Sequence, residues 1–72
     1  MRYQIRGYRG EIIAEYRKWG DVKIHAKSSL YRSDVVYLHG WKIGTVGDIA
    51  RAIRDQGQDV SIESIIDKTD TN

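Results

Sequence analysis

The tetrapeptide Tyr8-Arg9-Gly10-Glu11 constrains this chain more than any other stretch. It puts glycine second in a two-residue loop, where the backbone needs a positive φ that other residues adopt only with strain. A turn there implies a register that the flanking residues can check. Pairing Tyr8 with Glu11 sets Gly7 opposite Ile12, Ile5 opposite Ala14 and Tyr3 opposite Tyr16, all on one apolar face. The other face collects Arg2, Gln4, Arg6 and Tyr8 with Glu11, Ile13, Glu15 and Arg17. Side chains alternate across a strand, so a slip of one residue would destroy this sorting. Ile12, Ile13, Tyr16 and Trp19 also fit a helical stripe, but only the hairpin accounts for both sides of the turn. Strands over 2–8 and 11–18 are therefore predicted.

Val22, Ile24 and Ala26 alternate with Lys23, His25 and Lys27, which predicts a third strand over 22–27. A loop at Trp19-Gly20-Asp21 would set Ile24 against Tyr16 and Ala26 against Ala14. A second hairpin, 35–38 with 41–43, flanks His39-Gly40, with Leu38 facing Trp41 and Val36 facing Ile43. The sequence then changes period. Thr45-Val46-Gly47-Asp48 has the form of a capping box, and Val46, Ile49, Ala50 and Ile53 recur at helical spacing up to Gly57. Ile62, Ile65 and Ile66 predict a short helix over 61–67. The expected fold class is α+β: a small antiparallel sheet with one face packed by helix 45–56. Residues 1–67 are expected to form a single domain, and 68–72 a disordered tail.

A core built from 72 residues sits near the lower limit of independent stability, and the absence of cysteine removes disulfides as support. A homodimer would supply some of that support. No metal-ligand spacing occurs and no cofactor is expected. No apolar run reaches membrane-spanning length and the first residues lack a signal-peptide core, so a cytoplasmic protein is expected.

Function is bounded by an uneven charge distribution. Residues 1–42 hold all seven aromatic rings and carry nine bases against four acids, whereas 43–72 carry three bases against six acids. Basic charge among aromatic rings suits a surface that holds phosphates or an acidic partner. The candidate nucleic-acid-binding residues are Arg2, Arg6, Tyr8, Arg17, Lys23 and Lys27, with Arg6, Arg17, Lys23 and Lys27 expected as one patch on adjacent strands. Trp19 and Tyr31 are the candidate anchors for a protein interface, the basis of an alternative function as an adaptor or inhibitor that blocks another protein's nucleic-acid site. A helix-turn-helix over 45–67 is disfavoured because its second helix would carry Glu63 and Asp67 toward phosphates. The spacing of Gly40, Gly44 and Gly47 matches no phosphate-binding loop. His25 and Glu15 become cross-strand neighbours in the expected register, but they lack a nucleophile and an orienting group. A non-enzymatic binding module is the expectation.

Overall fold

The Arg9-Gly10 turn is present in the computed structural model, which describes residues 2–70. Gly10 adopts φ 85°, and the Gly10 and Gly7 amides donate to Gly7 O and Glu11 O, each at 2.9 Å. Strand β1 (Tyr3–Arg6) pairs antiparallel with β2 (Ile12–Tyr16), and Tyr3 faces Tyr16 and Ile5 faces Ala14 as the alternation requires. Nearer the turn the expected register is corrected. A bulge lets Arg6 face Ile12, so Gly7 meets Glu11 instead of Ile12. A Cβ on Gly7 would stand 2.5 Å from Glu11 Oε1, and that same carboxylate accepts the Arg9 amide at 3.1 Å. The bulge thus seats the Glu11 side chain across the turn.

Residues 22–27 are not a strand. Helix α1 spans Trp19–Ser28 and buries Val22 and Ala26, four residues apart, while Ile24 is left 62% exposed. A strand would have placed all three on one side. The helix instead uses Trp19 and His25 as flanking contacts. Trp19 Nε1 donates to Val60 O at 2.9 Å, and Tyr16 Oη meets His25 Nδ1 at 2.9 Å. A sheet with one apolar face needs a covering layer, and α1 covers it over β1 and β2, where the Trp19 ring lies 5.9 Å from that of Tyr3.

The second hairpin, β3 (Val35–Leu38) and β4 (Trp41–Thr45), turns through His39 at φ 53° and Gly40 at φ 81°. Leu38 faces Trp41 as expected, but a bulge places Gly44, not Ile43, opposite Val36. A Cβ on Gly44 would come within 3.4 Å of Ile65 Cγ2, so the bulge sets the smallest residue beneath a helix. β3 pairs with β1, giving the antiparallel order β2-β1-β3-β4. Thr45 caps helix α2 (Val46–Gln56) through a reciprocal box: Asp48 N donates to Thr45 Oγ1 at 3.0 Å and Thr45 N to Asp48 Oδ2 at 3.1 Å. Helix α3 (Ile62–Asp70) runs past the expected end at 67, and residues 71–72 of the expected tail lie outside the described residues.

Tyr3, Ile5, Val36 and Ile43 from the sheet meet Val22, Ala26, Val46, Ile49, Ala52, Ile53, Val60 and Ile65 in one core. All the helices of the described residues therefore lie on the same side of the sheet, α1 joining the helix 45–56 and the short C-terminal helix that were expected. Burial first and the Glu63 carboxylate second hold the Tyr3 phenol above the ordinary tyrosine value, so this ring stays neutral in the core.

Candidate nucleic-acid interface

The residues that alternate with the core set belong to the uncovered face of the sheet. Register places Glu15, Gln4, Tyr37 and Lys42 in one row across all four strands, with Gln4 facing both Glu15 and Tyr37, and Tyr37 facing Lys42. Arg6, at the end of β1, and Arg2, just before its start, lie two residues to either side of Gln4.

Hydrogen bonds join this row laterally. Gln4 Nε2 donates to Glu15 Oε2 at 3.1 Å, and Arg2 Nη1 approaches the same oxygen at 3.9 Å. Gln4 Oε1 accepts from both Nε and Nη2 of Arg6, at 3.2 and 2.7 Å. The Arg6 guanidinium lies over the Tyr37 ring, 4.5 Å from its centroid. An amide oxygen and an aromatic ring thus hold Arg6 in one orientation without cancelling its charge. Among the described residues neither Arg6 nor Lys42 forms an ion pair. The face presents three cations to one carboxylate, and that carboxylate is already engaged by Arg2 and Gln4. A guanidinium held this way, with no carboxylate partner, has the chemistry to hydrogen-bond an oxyanion.

Of the residues singled out from sequence, this face brings together Arg2 and Arg6. Tyr8 is 82% exposed at the β1–β2 turn, where Arg9 Nε donates to its hydroxyl at 3.0 Å. Arg17 is exposed in the bend between β2 and α1. Lys23 and Lys27 sit on α1, in the helical layer, where they donate to Gln58 O and, at 3.2 Å, to Gln58 Oε1. The expected patch of Arg6, Arg17, Lys23 and Lys27 on adjacent strands is thereby overturned, because 22–27 is helical. Trp19 is half-buried between Tyr3 and Val60, and Tyr31 is 71% exposed in the connection before β3. The expected pairing of His25 with Glu15 is also corrected: His25 bonds Tyr16 on the helix side, while Glu15 bonds Gln4 on the open side.

Sequence reasoning missed Tyr37 and Lys42. Tyr37 alternates with Val36 and Leu38, and Lys42 with Trp41 and Ile43, but only the β1–β3 pairing brings that side of the hairpin next to Arg6. Among the described residues, no group of His, Asp and Glu is placed to hold a metal ion, and no helix is long and apolar enough to cross a membrane. No protein-family model, curated protein or solved structure matches this chain.

Proposed function

We propose that this protein is a small non-enzymatic module that binds nucleic acid on the open face of its sheet. The observation that carries this reading is Arg6, charged, held by Gln4 and Tyr37, and free of any carboxylate partner among the described residues. Arg2 and Lys42 add positive charge on either side along and across the strands. Each phosphate neutralised by such a group releases condensed counterions, so binding is driven largely by salt-dependent electrostatics. Such a ligand implies an intracellular site of action.

Fluorescence anisotropy with labelled oligonucleotides at two salt concentrations tests the proposal. Arg2→Ala and Lys42→Ala should each weaken binding to unrelated sequences alike, by about threefold to tenfold, and make the salt dependence shallower. Lys23→Ala and Lys27→Ala should have little effect, because α1 lies behind the sheet. Losses from these two equal to those from Arg2 and Lys42 would contradict the assignment of the face.

One feature favours a second reading, an adaptor or inhibitor that contacts protein. Leu30 and Tyr31 are 90% and 71% exposed on a loop fixed by bonds from Tyr31 N to Ser29 Oγ and from Gly47 N to Arg32 O. Large apolar side chains displayed on a fixed loop resemble the anchors of protein interfaces. Failure to bind any oligonucleotide at low salt would transfer the assignment to this loop.

A further inference from the structure

We infer that the open face takes a single strand, with a base stacked on the Arg6 guanidinium, and not a duplex; this rests on the nucleic-acid reading above. Strands in a sheet are spaced by about 4.8 Å, so four of them with their side chains exceed the roughly 12 Å width of the major groove of B-DNA. The face is therefore too broad to enter a duplex groove. It would meet a double helix only as a cylinder resting on a surface, with phosphates outward and bases out of reach.

The chemistry of the face suits bases as well as phosphates. Arg6 spends Nε and Nη2 on Gln4, and Nη1 has no hydrogen-bond partner among the described residues. Its guanidinium carbon lies over the half-buried Tyr37 ring, 4.5 Å from the ring centre. Guanidinium planes and aromatic rings are the usual platforms for unpaired bases. Arg6 is flanked across the strands by Val35, half-buried, and by Ile12, which the β2 bulge sets opposite it and which is 52% exposed. Apolar surface rewards contact with a base and gains nothing from a phosphate. Lys42, in the same row as Tyr37, and Arg2, just before β1, can then follow the backbone on either side of the stacked base.

The test compares a short fluorescein-labelled oligothymidine, the same length of abasic strand, and a duplex of equal length, all in one low-salt buffer. The oligothymidine should bind the native protein about tenfold more tightly than the abasic strand or the duplex, the scale of one base stack. Arg6→Lys keeps the charge and removes the plane. It should cut oligothymidine affinity about fivefold to tenfold more than it cuts duplex or abasic affinity. Equal affinity of the native protein for all three probes would overturn the single-strand inference and leave the nucleic-acid reading standing. Binding of none of the probes would remove both. The probe comparison uses the native protein alone, so it does not depend on the folding of a variant.

Discussion

Arg6→Glu is expected to lower affinity for single-stranded oligonucleotides by roughly a hundredfold, equivalent to about 2.7 kcal/mol. The magnitude follows from two additive losses. A charge-assisted hydrogen bond to phosphate, worth about 1.5–3 kcal/mol, disappears, and a carboxylate that repels the same phosphate takes its place. Two native contacts go with it, since a glutamate cannot reproduce the paired bonds to Gln4 Oε1 or the position over Tyr37. Both lie on the open face, so the helical far-UV signal and the cooperative melt should survive. Anisotropy at low salt reads the affinity, and circular dichroism confirms the fold. A folded Arg6→Glu protein that bound as tightly as the native one would contradict the site.

Ile5→Ala should be the most damaging single truncation in the sheet. Ile5 is fully buried on a central strand, facing Ala14 on one side and Val36 on the other. Removing a buried isoleucine to alanine costs about 2–5 kcal/mol, because the cavity left behind closes only in part. Small domains have total stabilities of roughly 0.05–0.15 kcal/mol per residue, so this one change removes a large share of what holds the chain folded. A Tm lower by roughly 8–40 °C is expected, scaling as about 4–8 °C per kcal/mol for a domain of this size. Ile13→Ala provides the contrast. Ile13 is 49% exposed at the β2 bulge, and its truncation should change stability by no more than about 0.5 kcal/mol. Similar melting shifts from the two variants would mean that the buried and open faces have been assigned the wrong way round.

The parts of this fold that were legible in the sequence are those governed by local chemistry. Gly10 and Gly40 sit where positive φ is needed, and the alternation on either side sorts apolar from polar without reference to the rest of the chain. The α2 boundary was legible because Thr45 and Asp48 satisfy each other's amides within one turn. Trp19–Ser28 was misread because three apolar residues at alternate positions fit a strand, whereas the helix buries only Val22 and Ala26 and strands Ile24 in solvent. Its start gave no warning either, since Lys18 at the N-cap makes no side-chain bond. The decision between strand and helix lay outside the segment, in the apolar sheet face that needed cover.

The candidate site shows the same division. Arg2 and Arg6 were legible from the first hairpin alone, because a hairpin register is a local property. Tyr37 and Lys42 were not, because their approach to Arg6 depends on β3 pairing with β1 across the intervening helix. Lys23 and Lys27 were assigned to the wrong surface for a related reason: the misread strand carried them onto the open face, while the helix carries them to Gln58 behind it. The two bulges escaped notice because each depends on a contact between elements or across a turn, Glu11 over Gly7 in one case and Ile65 over Gly44 in the other.

The central claim, that the open sheet face is the surface that meets nucleic acid, is tested most directly by nuclear magnetic resonance. A 15N-labelled sample titrated with a short oligothymidine at low salt reports each backbone amide and the Arg6 side-chain Nε–H separately. The shifts are expected to concentrate on Arg2–Arg6, Tyr37 and Lys42 and on the Arg6 Nε–H, while the amides of α1 and α2, including Lys23, Lys27, Arg51 and Arg54, stay in place. Shifts centred on α1 or α2, with β1 and β3 unchanged, would contradict it.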